Sequence, residues 1–517
     1  MRIAKFVVLG ALLLSVGLWS LYGSVQSVMQ PEKPNIIFIL TDDMDAKLVD
    51  AMPKLKSLLA DQGVTFSNHF VSFSLCCPSR ASILRGQYAH NTQILGNMPP
   101  AGGYEKFHML GEESSTAATW LQAAGYKTMY VGKYLNGYPG NAGRTFVPLG
   151  WNEWYSAVAG SPYDAYGYTL NENGKLVSYG NAPADYGTDV YAKKTIDFMQ
   201  RTVKEAKPFF VHFSVYAPHS PYTPALRHKE MFADAKTPQT PNFNEADVSD
   251  KPQYIRNRPA LTAQQINQLN GDYRLRLQSL QAVDEAIGAF VDALKAAGKL
   301  ENTYFFFMGD NGYHMGNHRL MEGKIAPYEE DIRVPMIVRG PGVPTGKTVD
   351  LLTGNVDLAP TWAEIAGAKA DSFVDGRSLV SLWGTTPPSV NSWRQVFLME
   401  NGDIDNRRLE TDSYDLGKDV DPLTLEPIEL FPDQQPGAQA QAIPAFRGLR
   451  TKDYTYVEYV TGEKEFYDLA KDPQQLVNAI SSADPALLKQ LSAKLAELRR
   501  CAANTCRAIE LAPLLAR

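Results

Sequence analysis

Four cysteines in 517 residues are too few to build a disulfide scaffold. The fold must rest on an ordinary hydrophobic core. Basic residues are not in excess either: 50 lysines and arginines stand against 56 aspartates and glutamates, with no basic stripe. That excludes nucleic acid as a partner. One apolar run alone is long enough to matter to a membrane, Phe6 to Tyr22, behind Arg2 and Lys5. Segment 1–27 reads as a secretory signal ending near Val25-Gln26-Ser27, or as an uncleaved N-terminal anchor, and a membrane is met only there. No Asn-x-Ser/Thr acceptor occurs, which is unusual in a eukaryotic secreted chain of this length. The expectation is an exported protein, periplasmic or secreted, of bacterial source.

Roughly 490 residues follow that segment, enough for one large domain and a smaller one. Four short apolar runs end abruptly in polar, reactive residues. Ile36–Leu40 ends in Thr41-Asp42-Asp43, and Thr128–Val131 ends in Gly132-Lys133. Phe209–Val215 leads through Tyr216 to Ala217-Pro218-His219, and Tyr304–Met308 ends in Gly309-Asp310-Asn311. Continuous apolar runs of this length suit strands buried on both faces of a parallel sheet. Helical patterns lie between them: Thr116 to Ala124 closed by Gly125, Thr188 to Lys204 with Thr188 as N-cap, and Leu275 to Ala297 closed by Gly298. The class is α/β, a large mostly parallel sheet flanked by helices. Ligands bind such sheets at the carboxyl ends of the strands, where every reactive residue just named falls.

Cys76-Cys77-Pro78-Ser79-Arg80 carries the most chemistry. Cys, Pro, Ser and Arg at these spacings arise by chance about once in a thousand chains of this length. Pro78 fits the first turn of a helix that Gly86 would stop. Cys76 then sits at a helix N-terminus, where unpaired N–H groups and the dipole favour negative charge, and Arg80 adds a fixed cation. Asp42, Asp43, Asp310 and Asn311 supply hard oxygen ligands, which favour Ca2+ or Mg2+ over zinc. Read alone, either acidic pair is equally a turn with solvated acids. Cys501 and Cys506 suggest a local disulfide in an oxidising compartment, since a metal site there lacks further ligands.

The Cys76 motif resembles the Cys-x-Pro-Ser-Arg signature of type I sulfatases, within the alkaline-phosphatase-like superfamily. The likeness continues through Gly132-Lys133-Tyr134-Leu135-Asn136, Ala217-Pro218-His219-Ser220-Pro221, Asp310-Asn311-Gly312-Tyr313-His314 and Glu322-Gly323-Lys324 with Tyr328 and Asp331–Pro335. Arg447 to Asn478 resembles the family's C-terminal subdomain. The resemblance implies a catalytic domain over 33–370 and a C-terminal α+β subdomain over 371–517 with a terminal helix. Asp403 to Asp433, acidic, with little periodicity and several prolines, reads as a long surface insertion. Many arylsulfatases carry Gly-Lys-x-His at the first lysine segment, whereas Leu135 and Asn136 stand here. The Lys-Tyr-Leu-Asn version is similar to the branch of N-acetylglucosamine-6-sulfatases and heparan endosulfatases.

That resemblance implies conversion of Cys76 to Cα-formylglycine by a formylglycine-generating enzyme. It also implies a Ca2+ (or Mg2+) ion on Asp42, Asp43, Cys76, Asp310 and Asn311. Arg80, Lys133 and Lys324 would neutralise sulfate, His219 would protonate the leaving oxygen, and Asp310 and His314 would handle the remaining protons. The implied substrate is a sulfated carbohydrate. An arylsulfatase of broad specificity, a phosphodiesterase or phosphonate monoester hydrolase, and an inactive glycan-binding protein remain alternatives. Tyr134, Tyr138, Tyr222 and Tyr313 lie beside these segments, either to stack on sugar rings or as ordinary packing. His212, inside an apolar run, reads as a satisfied core residue.

Overall fold

A computed structural model describes residues 32–402 and 443–514. The expected signal or anchor and the acidic insertion lie outside the described residues. Among the described residues no helix is long and apolar enough to cross a membrane. Ten strands form one sheet. They are β1 (Asn35–Thr41), β2 (Val64–Phe66), β3 (Lys127–Gly132), β4 (Glu153–Gly160), β5 (Tyr168–Glu172), β6 (Lys175–Ser178), β7 (Phe209–Ser214), β8 (Thr303–Gly309), β9 (Met336–Arg339) and β10 (Lys347–Val349). Their order across the sheet is β10-β2-β9-β8-β1-β7-β3-β4-β5-β6.

The four apolar runs of the sequence are four adjacent central strands, β8-β1-β7-β3, all parallel. In register, Ile37 lies opposite Val211 on one side and Phe305 on the other. Residues alternate between the two faces. Ile36, Phe38 and Leu40 pack on one side with α1 (Cys76–Arg85), α2 (Ala117–Ala123) and α5 (Leu358–Ala366). Ile37 and Ile39 pack on the other with α3 (Gly187–Lys204) and α4 (Ala263–Ala296). Both faces are covered, which is why these strands read as unbroken apolar runs. Antiparallel pairings occur only towards the flanks, between β9 and its two neighbours and along β4-β5-β6.

Two helix starts differ from the sequence reading. Helix α3 begins at Gly187 after Tyr186, so Thr188 lies inside the first turn and is not the cap. Helix α4 begins at Ala263, well before Leu275. Thr262 caps it: its hydroxyl accepts from Gln265 N–H at 3.3 Å, and Gln265 Oε1 accepts from Thr262 N–H at 2.9 Å. The first turns of α4 are polar, so the hydrophobic period starts later than the helix does.

Beyond the large sheet, β11 (Val396–Asn401), β12 (Phe446–Thr451), β13 (Tyr454–Tyr459) and β14 (Lys464–Asp468) form an antiparallel sheet in that order. Its core is closed by α6 (Pro485–Leu498) and by the bonded pair Cys501–Cys506, which precedes and enters α7 (Asn504–Leu511). Buried ion pairs attach this unit. Arg394 spans both oxygens of Asp357 and reaches Glu510, while Glu400 receives His90 at 3.0 Å and Arg447 at 3.2 Å.

Burial alone would lower the His90 pKa, but the Glu400 carboxylate overturns this and, with the Cys501 carbonyl on the other ring nitrogen, pushes it up to about 9. The native state therefore holds a proton that the unfolded chain releases near 6.5. This contribution is complete below pH 6.5 and is lost as pH rises through 9. It amounts to about 3 kcal/mol at most. Urea unfolding at pH 6 and pH 9.5 should show this loss in the wild type, and His90→Gln should remove most of it. A variant with the same pH slope as the wild type would exclude His90 as its source.

Candidate active site

The carboxyl ends of β1, β3, β7 and β8 lie side by side, and the loops after them converge on the N-terminus of α1. Leu75 stands at the N-cap, Cys76 is the first helical residue, and Gly86 ends the helix in the left-handed region at φ 69°. The helical spacing of four puts Cys76 and Arg80 on one face. Cys76 Sγ lies 3.3 Å from Asp42 Oδ1, 4.0 Å from Asp43 Oδ1 and 3.1 Å from Lys324 Nζ. Cys77 turns the other way, into the apolar core. Neither cysteine is disulfide-bonded.

Each carboxylate is met by a cation. Lys133 Nζ donates to Asp42 at 2.7 Å, and Lys324 Nζ donates to both oxygens of Asp43 at 2.8 and 3.0 Å. Arg80 Nε donates to Asp310 at 2.8 Å. Its Nη2 is buried, makes no hydrogen bond and lies 3.8 Å from Asp42. Lys133 owes its aim to Gly132, whose φ is +104°; a Cβ there would stand 1.7 Å from the Ser214 carbonyl. Asn311 donates to Asp43 at 2.6 Å, and Asp43 N–H donates to Asp310 at 3.0 Å. His219 Nε2 lies 3.6 Å from Asp43, with Nδ1 on the Ser220 carbonyl at 2.8 Å. Cys76, Arg80, Lys133, His219, Lys324, Asp42, Asp43, Asp310 and Asn311 thus form one cluster, all nearly inaccessible to solvent.

His314 stands one layer out. Its Nδ1 meets both oxygens of Asp331 at 2.8 and 2.9 Å, and its backbone pairs with Gly323, next to Lys324. Asp331 also accepts from Ala326 N–H at 2.7 Å, which ties His314 to the loop that carries Lys324. All four tyrosines beside the motifs are buried. Tyr134 and Tyr138 are interior residues packed on Tyr104, Tyr130 and Trp154. Tyr222 and Tyr313 are also buried, their hydroxyls 3.0 Å apart. Tyr163, which carried no motif signal, packs on His219 at 4.6 Å and beneath Lys133 at 4.9 Å. Ser214 was missed as well; it receives Arg80 Nη1 at 2.7 Å and donates to the Lys133 carbonyl at 2.8 Å. His212 is a core residue, but not a satisfied one: both ring nitrogens are buried without a partner, and burial first, then Arg80, holds its pKa far below the usual value.

Electrostatics mark the cluster as a place for a cation. Burial raises the Asp310 carboxyl, and Asp42 adds to the rise against the pull of Arg80. Burial would raise Asp43 too, but Lys324, with His219 and Lys133, holds it well below the usual carboxylate range. Burial and the charge of Asp42 push the Cys76 thiol far up, so an unmodified cysteine here is a poor nucleophile. Ligand atoms of Asp42, Asp43, Cys76 and His219 all lie within 4.8 Å of one another. Asn311 Oδ1 is a buried acceptor with no donor. A divalent cation fits this donor set, since it would satisfy Asn311 and relieve the crowded carboxylates.

The family model described as Sulfatase matches residues 34–368. The N-acetylglucosamine-6-sulfatase of Homo sapiens is 35% identical over 490 residues, covering 92% of this chain and 86% of its own. An arylsulfatase of Volvox carteri is 33% identical over 520 residues, covering 94% and 77%. Both are eukaryotic, which lends no support to a bacterial source. A protein solved in complex with its substrate D-glucosamine-2-N,6-O-disulfate superposes with a TM-score of 0.71 at 23% identity, covering 92% of this chain and 98% of that one. The last likeness concerns the fold, whereas the family match spans most of the large sheet and every loop that builds the cluster. The chain belongs to the sulfatase family.

Proposed function

We propose that this sulfatase hydrolyses a sulfate monoester on a sulfated sugar, with 6-O-sulfated N-acetylglucosamine as the reference substrate, through a nucleophile made from Cys76. The observation that carries the chemistry is the placement of Cys76 at a helix N-terminus against Asp42, Asp43 and Lys324. The sugar follows from the likeness to the human relative over nearly the whole chain. Converted to formylglycine by a generating enzyme and hydrated, position 76 supplies two geminal hydroxyls, one to attack sulfur and one whose deprotonation expels sulfate and restores the aldehyde. A Ca2+ or Mg2+ ion on Asp42, Asp43, Asp310 and Asn311 supplies Lewis acidity there. Export to the periplasm or outside the cell, a catalytic body over 33–370 and a C-terminal subdomain over 371–517 belong to the same reading.

The chain's own residues do the rest. Lys133, Lys324 and the unpaired Nη2 of Arg80 bind the sulfate oxygens, and they neutralise charge as it moves off sulfur. The dipole of α1 adds to them. The Ser220 carbonyl takes the Nδ1 hydrogen bond of His219, so Nε2 is the atom that gives a proton to the departing sugar oxygen. Asp331 holds His314 and accepts from Ala326 N–H, which braces the loop carrying Lys324 from both ends. A second reading, arylsulfatase, draws on the Volvox carteri relative.

Tryptic mass spectrometry should find the Cys76 peptide about 18 Da lighter than the cysteine form, the change from CH2–SH to an aldehyde. Cys76→Ala should abolish turnover, while Cys77→Ala, which trims a side chain in the apolar core, should keep most of it. Equal loss from both would displace the nucleophile from position 76.

A sugar alkoxide leaves poorly without a proton, whereas an aryl oxide needs little help. His219→Ala should therefore cut kcat/KM on the sugar sulfate by about a hundredfold or more and on an aryl sulfate far less. An equal loss on both would take His219 out of the leaving-group role. Activity confined to aryl sulfates would replace the sugar reading by the second one.

A further inference from the structure

Arg276 lies on α4, outside every motif, and its side chain is fully buried. Its Nη2 donates to the Asp43 carbonyl at 2.5 Å and its Nη1 to the Pro218 carbonyl at 3.3 Å. The guanidinium carbon lies 4.4 Å from the Tyr313 ring centre and 5.7 Å from that of Tyr222. Its Nη2 also lies 3.9 Å from the Asp45 carboxylate. A buried cation held by two carbonyls, two ring faces and one carboxylate at 3.9 Å is still a costly way to fill space, and a methionine would pack there more cheaply. What the guanidinium adds over an apolar side chain is what it holds.

It holds three loops at once. Asp43 follows β1, Pro218 precedes His219 after β7, and Tyr313 follows Asn311 after β8. Asp43 sits in the left-handed region at φ 61°, uncommon outside glycine although aspartate is among the residues that adopt it. Asn311, Lys324 and His219 hold its side chain, and Arg276 holds its carbonyl. The fork geometry of the guanidinium lets one side chain set the separation between the Asp43 and His219 segments, which an ammonium cannot do.

We infer that Arg276 is a positioning residue for the sulfatase reaction: it fixes the Asp43 backbone for cation binding and the His219 segment for proton delivery, without touching substrate. The inference rests on the proposed roles of Asp43 and His219. It makes α4, on the face of the sheet opposite α1, a working part of the site.

The test uses the full-length protein with Arg276→Met and Arg276→Lys. Ca2+ affinity is measured by calorimetry after chelation, alongside kcat and KM on a sugar sulfate and an aryl sulfate. Both variants should bind Ca2+ at least about tenfold more weakly. For both, kcat on the sugar sulfate should fall by about a hundredfold, the aryl sulfate should lose less, and KM should change little. Folded variants that keep wild-type Ca2+ affinity and kcat within about twofold would overturn the inference. If Arg276→Met does not fold, Arg276→Lys decides alone, because it keeps the charge and loses the fork. A wild-type protein that turns over no sulfate ester would remove the proposed function, yet the Ca2+ measurement would still decide on Arg276. A wild type that binds no Ca2+ would remove the cation reading and leave the decision to the ratio of sugar to aryl turnover.

Discussion

Everything at this site depends on enclosing charge at the ends of parallel strands. Three carboxylates and three side-chain cations, with His219 beside them, lie where water does not reach. Each would be ruinous alone, because an unpaired buried charge costs several kcal/mol. They persist because each is answered: Asp42 by Lys133, Asp43 by Lys324, Asp310 by Arg80. The answer is geometric before it is chemical. Four central strands end in register, so four loops deliver their polar groups to one small volume.

The enclosure also explains why so much lies behind the reacting groups. Ser79 donates to the Asp310 carbonyl and receives Asn355, which ties α1 to the end of β8. Ser214 joins Arg80 to the Lys133 backbone. Backbone bonds from Asp42 to Ala217, from Met44 to Asn311 and from Asp310 to Thr41 stitch the loops to one another. A sulfate ester is recognised by directed donors, and directed donors require loops that do not wander.

The central strands were legible because burial on both faces leaves no polar alternation, and their reactive ends were legible because the apolar run stops there. The flanks were not. β6 is wholly exposed and β10 nearly so, and nothing in Lys175–Ser178 or Lys347–Val349 departs from loop composition. The cluster residues carried by motifs could be read one by one, while Ser214, Tyr163 and Arg276 could not. A serine at the end of an apolar strand or one arginine on a long helix has no local pattern. Its partners are far along the chain, and only the fold brings them together. Tyr134 and Tyr138 stood between sugar stacking and ordinary packing on the sequence alone, and only the fold shows the aromatic contacts that draw both rings inward.

Helix α7 reaches across the molecule to steady α1. Glu510 of α7 receives Arg377, Arg394 and the hydroxyl of Tyr88, the residue two beyond the glycine that stops α1. Arg394 in turn holds Asp357, whose loop carries the Asn355 that grips Ser79. The site therefore leans on a helix far from it in the chain: loosening α7 would slacken α1 through Arg394, Asp357 and Asn355, and so unsettle position 76 without touching any member of the cluster.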